Sequence, residues 1–351
     1  MVNKSPRKLL EIPSSWSIPH IQEALESSLQ GDGPALAFGS SKFKSVDPSI
    51  CVVIPTSGST GSPKEVALSA TALRASALAS HEFLGAKPSE RWSLKLPTNH
   101  IAGINVLVRA LELGTDIALA DYEYTSIVPT QLYRALNEKG ELLLSLQNAK
   151  AVLVGGASIQ SKLLERAREH AISVVTTYGM SEMSGGCVYN DRPLKGVEVE
   201  IRDGNRIALR GPMQATEYLG SAKPIADSDG WFLTNDVGQI NAGMLTVFGR
   251  MDDQIISGGE KISLGAIDDF LNSPASDFYM SCAIPDPEWG ELLCLASSQG
   301  IDQAALSLQL REQFGSHGVP KLFLSNIELP HTSIGKPDRQ ALSQRFERIA
   351  P

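Results

Sequence analysis

From Ile50 to Thr176 the chain repeatedly sets a short β-rich run against a stretch long enough for a helix, and this order narrows the possible folds most. Strand candidates are Cys51–Ile54, Ser93–Leu96, Asp116–Ala120, Ala151–Val154 and Ser173–Thr176, with helices such as Ser158–His170 fitting between them. One helix is expected from Ser69, a residue that caps helix N-termini well, to about Leu84, where Gly85 is a stop signal. Strands that run parallel need long crossovers, and helices supply them, so the order implies βαβ units and mostly parallel sheets with covered faces. After Asn190 the texture changes. Val197–Ile201 and Ile207–Leu209 flank the turn Asp203-Gly204-Asn205, and Gly230–Leu233 and Met244–Phe248 continue in short strands. This part predicts an antiparallel β subdomain.

From about Met251 a smaller α+β pattern begins, with strands Tyr279–Ile284, Leu292–Ser297 and Leu322–Ile327. Its helices are expected near Ser263–Leu271, Gln303–Phe314 and Asp338–Ile349. The fold class is therefore α/β, with a large N-terminal domain over residues 1–250 and a small C-terminal domain over 251–351. Residues 1–49 are irregular in pattern apart from one helix around Ile18–Leu29, which ends at Gly31-Asp32-Gly33. A chain of 351 residues is long enough for two ordinary cores, and 42% hydrophobic with 20% charged residues suits a globular protein.

The formal net charge of -8, with no basic block, argues against a nucleic-acid partner. It does not exclude an anionic ligand, because a site can be locally positive inside a negative protein. Cys51, Cys187, Cys282 and Cys294 include no CxxC pair, so reduced, buried thiols are expected rather than a zinc site or a disulfide framework. No stretch approaches the ~20 apolar residues of a membrane span. Nor does an apolar run of signal-peptide length follow the basic Met1–Leu10, and a cytoplasmic location is expected.

The strongest local signal is Thr56-Ser57-Gly58-Ser59-Thr60-Gly61-Ser62-Pro63-Lys64. Glycines 58 and 61 let backbone amides approach a phosphate closely, and hydroxyls and a lysine surround them with donors. Pro63 stands where the GxxxxGK[ST] pattern requires glycine, which disfavours a P-loop kinase or ATPase. A flexible polar turn between strand and helix explains the glycines and serines equally well, but the terminal Pro-Lys less well.

With this loop in place, the chain resembles the adenylate-forming superfamily of acyl-CoA synthetases, luciferases and adenylation domains. The loop agrees with that family's phosphate-loop pattern, and five further matches follow in the family's order. They are Leu96-Pro-Thr-Asn-His100, Val154-Gly155-Gly156-Ala157, Thr177-Tyr178-Gly179-Met-Ser181-Glu182, Thr234-Asn-Asp236 with Gly249-Arg250, and Gly335-Lys336. The resemblance implies an enzyme that joins a small-molecule carboxylic acid to the α-phosphate of ATP and then passes the acyl group to the thiol of CoA. Its transition state is crowded and highly charged, so cations and fixed donors matter more than acid–base groups.

Residue by residue, the resemblance implies that Tyr178 stacks on adenine and Ser181 donates to the α-phosphate. Glu182 helps to hold Mg²⁺, and Gly155, Gly156 and Ala157 border the nucleotide. Asp236 and Arg250 become ribose contacts, and Lys336 the catalytic lysine that bridges carboxylate and phosphate. The C-terminal domain becomes a mobile lid hinged at Asp252, and Gly258 and Gly259, in Gln254–Lys261, line the thiol channel during the second half-reaction. Read alone, Gln254–Lys261 also suits a plain surface hairpin.

Within the superfamily the chain is most similar to the o-succinylbenzoate–CoA ligases of menaquinone biosynthesis. The carriers are the segment Gly179–Tyr189, the 55 residues that precede Thr56, and Arg109 nine residues after His100. Gly185-Gly186 would leave an open wall for an aromatic ring. His100, which Pro97 and Gly103 place on a loop entering the next helix, would be a catalytic residue or a satisfied structural histidine. Arg109 would meet the ring carboxylate of the substrate or form a surface salt bridge with Glu112; a single continuous helix would turn it away from His100. The short N-terminal part leaves either a shallower acyl pocket or one completed by a second subunit in a homodimer. Other readings are an enzyme for another acid or a carrier-protein thiol, and a non-catalytic nucleotide-binding regulator. A regulator would be expected to have lost Lys336 or Glu182, and both are present.

Overall fold

The computed structural model describes residues 5–56, 64–157, 159, 161–251, 253–272, 278–331 and 337–349. Ser57 to Gly61 of the loop, Asp252, where a hinge was expected, and Lys336 lie outside the described residues. The chain divides into two compact units, Met1–Thr234 with Gln239–Thr246, and Asn235–Gly238 with Val247–Pro351. The second unit thus takes in Asn235–Gly238 and Val247–Arg250, strand ends that the sequence analysis assigned to the N-terminal domain.

Two six-stranded sheets build most of the first unit. In the first, the order is Glu217–Tyr218, Lys64–Ser69, Ile50–Thr56, Ala35–Ala37, Arg7–Glu11 and Ser45–Val46. Arg7–Glu11, Ala35–Ala37 and Ile50–Thr56 run parallel, and the remaining pairs are antiparallel. Residues 5–49 are therefore not irregular. Their strands have only two to five residues, too short to display a period of two in sequence. Lys64–Ser69 is a further correction. The polar loop joins two antiparallel strands, with Thr56 opposite Lys64, rather than leading from strand straight to helix.

The second sheet has the order Arg192–Pro193, Gly185–Tyr189, Val174–Met180, Ala151–Gly155, Tyr124–Ile127 and Trp92–Leu94, and its last four strands are parallel. A strand was expected over Asp116–Ala120, but the strand forms at Tyr124–Ile127. The earlier segment makes one backbone bond to this sheet, Ala118 N–H to Trp92 O at 2.9 Å, and leaves Leu119 91% exposed. All four residues of Tyr124–Ile127 are buried. Its Thr and Ser hid it from a hydrophobicity reading, yet Thr125 Oγ1 is satisfied by Ser93 O at 2.9 Å.

The helix Ile101–Glu112 buries residues on every side, Ile101, Ile104, Leu107 and Val108 among them. Val106 and Ala110 pack into the core with Trp92, Tyr124 and Tyr189, whereas Ile104 and Leu107 pack with Val52, Ile54 and Leu68. An element apolar all round must lie inside, and this one is sandwiched between the cores of the two sheets. Beside it Ala70–Leu84 begins at Ser69, whose side chain accepts from Ala72 N–H, and ends at left-handed Gly85. A third sheet has the order Glu198–Arg202, Arg206–Arg210, Phe232–Asn241 and Met244–Arg250, with the expected antiparallel turn at Asp203–Asn205.

In the second unit the strand order is Glu260–Ser263, Gln254–Ser257, Gly290–Ser297 and Tyr279–Asp286, and Leu322–Leu324 pairs parallel with Gly290–Ser297. Helices Leu264–Leu271, Gln303–Phe314 and Arg339–Glu347 accompany the sheet, close to their expected places. All four cysteines are free and buried. No helix among the described residues is long and apolar enough to cross a membrane.

Candidate active site

Ligands of open α/β sheets gather at the carboxyl ends of parallel strands. There Gly155 ends one strand opposite Thr177 on the next. A Cβ on Gly155 would stand 2.1 Å from Thr177 Oγ1, so only glycine lets these two chains close up. Gly156 follows at φ +85°, a left-handed turn that favours glycine. Gly179 has the same kind of reason: its Cβ would lie 1.9 Å from Gly185 O on the antiparallel neighbour. The tight hairpin presents Ser181 and Glu182 on the short turn Ser181–Met183.

That turn is anchored from three directions. Ala215 N–H donates to Glu182 O at 2.8 Å, and Ser184 Oγ donates to Met213 O at 2.7 Å. Asn105 Nδ2 and Ser76 Oγ both donate to Ser184 O, at 2.5 and 3.2 Å. The expected open wall at Gly185 and Gly186 is not found. Asn105 occupies the space beside Gly185, and the Tyr189 ring lies 2.9 Å from where a Cβ on Gly186 would sit. These glycines serve close packing instead.

Lys64, Tyr218 and Glu182 form the polar heart of the site. Glu217–Tyr218 pairs antiparallel with Lys64–Ser69, so Tyr218 stands beside the end of the loop. Its hydroxyl donates to Glu182 Oε1 at 2.8 Å, and its ring centroid is 5.0 Å from Lys64 Nζ. Burial and the Glu182 carboxylate push the phenol above its ordinary pKa, so it stays a donor at neutral pH. Sequence reasoning missed Tyr218, because a two-residue strand leaves no periodic trace. Thr56 Oγ1 donates to Lys64 O at 3.2 Å.

His100 caps the buried helix, its carbonyl accepting from Gly103 and Ile104 N–H at 3.0 and 3.2 Å. A Cβ on Gly103 would meet Pro97 O at 2.2 Å, which is how the loop Leu96–Asn99 reaches the helix start. Arg109 makes no surface pair with Glu112, which is 3.1 Å from Arg74 instead. Arg109 is only 3% exposed. Its Nη2 donates to Tyr189 Oη at 2.9 Å, and its guanidinium lies 5.0 Å from the Trp92 ring centroid. Arg109 Nε has no hydrogen-bond partner among the described residues.

In the second unit, Asp236 and Arg250 are brought together, with Arg250 Nη1 3.8 Å from Asp236 Oδ1. Gly258 and Gly259, at φ +59° and +86°, form the two-residue turn of the hairpin Gln254–Ser257 to Glu260–Ser263. Gly258 N–H donates to Trp289 O at 3.0 Å. Next to the segment of Lys336, Arg339 Nη1 donates to Asp268 Oδ2 and to Ser281 O, both at 2.6 Å, and Nε lies 3.2 Å from Asp253 Oδ1. A signal for Arg339 was present in the sequence. A cation in the first turn opposes the helix dipole, and it persists there because buried Asp268 and half-buried Asp253 hold it.

The parallel strand ends, the glycine-lined approaches and the Lys64–Tyr218–Glu182 cluster describe an α/β protein suited to a phosphorylated ligand. Residues 11–205 match the AMP-binding enzyme family, and the chain belongs to that family. It is 33% identical to a Mycobacterium tuberculosis (strain CDC 1551 / Oshkosh) protein named "Probable 2-succinylbenzoate--CoA ligase", over 97% of this chain and 98% of that one. Wild-type Escherichia coli MenE with a bound m-phenylether-linked analogue of OSB-AMS is similar at 26% identity and a TM-score of 0.70, over 96% of this chain and 82% of that one. The Bacillus subtilis o-succinylbenzoate CoA synthetase in complex with the acyl-adenylate intermediate OSB-AMP shares the fold at a TM-score of 0.77 and 24% identity, over 95% and 78%.

Proposed function

We propose that the chain is an ATP-dependent acid–CoA ligase that converts o-succinylbenzoate to o-succinylbenzoyl-CoA through an acyl-adenylate, in the cytoplasm. The relative matched along nearly its whole length supports the reaction, and the meeting of Lys64, Tyr218 and Glu182 at the strand ends supports the site. In the first step a carboxylate oxygen of the acid bonds to the α-phosphorus of ATP, and pyrophosphate leaves. In the second, the CoA sulfur attacks the acyl carbonyl carbon, the thiol proton is lost, and AMP leaves.

Lys64 places a cation beside the phosphates, and Ser181 a hydroxyl donor. Thr177, Gly155, Gly156 and Ala157 frame the base and sugar, and Tyr178 gives adenine a stacking face. No group of three or more acidic, His or Cys residues able to hold a metal occurs among the described residues. One carboxylate, Glu182, is what Mg²⁺ needs when substrate phosphates and water complete its shell. When bound, the ion neutralises phosphate charge. Asp236 and Arg250 hold the ribose, Lys336 bridges carboxylate and phosphate, and Gly258–Gly259 border the pantetheine path.

Arg109 answers the carboxylate that the acid retains, since its guanidinium is buried with Nε unpartnered among the described residues. Incubation with Mg²⁺, ATP, CoA and competing acids tests the reading. AMP, pyrophosphate and o-succinylbenzoyl-CoA are expected, and ADP plus phosphate as main products would defeat it. A kcat/KM for octanoate equal to that for o-succinylbenzoate would overturn the acid assignment and leave the chemistry standing. Arg109→Ala should lower the preference for the dicarboxylic acid over benzoate, a ratio that partial unfolding does not change.

A further inference from the structure

Among the described residues of the first unit, Tyr218 touches both a phosphate-side cation and the carboxylate given to the metal. Backbone pairing fixes where it stands, for Tyr218 lies opposite Val66, two residues beyond Lys64 on the neighbouring strand. Leu219 N–H, next along the chain, donates to Glu65 O at 2.9 Å and continues that pairing. Glu182 is held independently through Ala215 N–H, three residues before Tyr218. The segment Ala215–Leu219 therefore grips both the Glu182 turn and the Lys64 strand, and Tyr218 carries that grip to the functional atoms.

An ionised carboxylate accepts only, and it has about four lone-pair positions on two oxygens. The phenol occupies one position on Oε1 at 2.8 Å, and so orients the plane of the group. The ring beneath Lys64 Nζ offers its negative face to the ammonium, which limits where that cation settles. Such outer contacts decide how well a ligand is aimed, and their loss commonly lowers metal affinity about 10–100-fold.

We propose that Tyr218 is a positioning residue for the metal–nucleotide complex, orienting Glu182 through its hydroxyl and Lys64 through its ring. This rests on the reading of Glu182 as the Mg²⁺ carboxylate, and the two parts of Tyr218 separate experimentally. Tyr218→Phe keeps the ring and removes only the donor. Tyr218→Leu removes both.

Mn²⁺ binding is measured by electron paramagnetic resonance on the whole protein, with α,β-methylene-ATP present and no acid or CoA. Metal-free nucleotide binding is measured by calorimetry, and urea midpoints report folding. Tyr218→Phe should weaken Mn²⁺ binding about tenfold or more, leave metal-free nucleotide binding unchanged and unfold at the parent midpoint. Tyr218→Leu should weaken both. Glu182→Gln is the reference. If Glu182→Gln loses Mn²⁺ while Tyr218→Phe retains it, the positioning role is overturned and the metal reading stands. If Glu182→Gln retains Mn²⁺, the metal reading fails and the Tyr218 role fails with it. Equal weakening of metal-free nucleotide in Tyr218→Phe would mark a merely structural contact.

Discussion

His81 shows how burial sets the chemistry of a single residue. It is 7% exposed, its ring centroid lies 6.2 Å from that of Trp92, and its Nε2 has no partner among the described residues. Burial, and the nearby charge of Arg109, push its pKa down to about 4. Unfolded, it would titrate near 6.5, so the unfolded chain binds the extra proton between those values. The stability this neutral histidine allows is present above about pH 6.5 and is lost as pH falls toward 4, by up to roughly 3 kcal/mol. Replacing it by a residue that does not titrate removes that slope. Urea midpoints at pH 7 and pH 5 should therefore lie closer together for His81→Leu than for the parent. An unchanged difference would show that other groups set the acid limb.

Among elements, the helix Arg339–Glu347 shows how the residues that flank the proposed catalytic lysine are seated. Asp338 caps it, its side chain accepting from Ala341 N–H. Asp338 N–H donates to Pro330 O at 2.9 Å, and His331 pairs with Pro337, so both ends of the segment that carries Lys336 are joined. Arg339 ties this base to the unit's interior through Asp268, and to Asp253, the residue after the proposed hinge. Burial raises Asp268 to about pKa 6 even beside the guanidinium. Arg339→Leu would strand that carboxylate, at a cost of about 3–5 kcal/mol. Hydrogen exchange in Tyr279–Asp286 should accelerate accordingly. The loss should be smaller at pH 5, where Asp268 takes a proton, than at pH 8. Equal losses at both would mean that the pair carries no net charge dependence.

For the whole molecule, the two units divide the proposed labour. In the proposed reaction Lys336 is assigned to adenylation, where it would neutralise charge while the carboxylate attacks phosphorus. Gly258 and Gly259 are assigned to thioester formation, and the proposed hinge at Asp252 would let one unit serve both steps. Removing one well-placed cation costs about 10²–10³ in rate. Lys336→Ala should lose adenylation at about that level, yet still convert supplied acyl-adenylate and CoA to thioester. Asp252→Pro should make adenylate but transfer it slowly, because proline fixes φ at the turn that must rotate. Single-turnover assays of each half-reaction read this directly. Equal losses in both steps for both variants would sink the two-position lid, provided that thermal unfolding matches the parent.

Whatever depends on neighbours along the chain was legible in the sequence. The cap at Ser69, the stop at Gly85 and the turn at Asp203–Asn205 are set by local backbone preference, and the structure has them in place. The ordered motifs likewise carried the family, because such chemistry requires particular residue types in sequence. Contacts between distant segments were not legible. Tyr124–Ile127 hides its strand behind Thr and Ser, and the first strands are too short for any period to emerge. The expected wall at Gly185–Gly186 is filled from a helix eighty residues earlier in the chain and from Tyr189. Arg109, weighed as a surface charge, is interior, because the helix that carries it lies between two cores. Tyr218 reaches Glu182 only because a two-residue strand happens to pair beside Lys64. Local preference acts within a few residues, whereas burial and pairing are decided by which distant surfaces exclude water together.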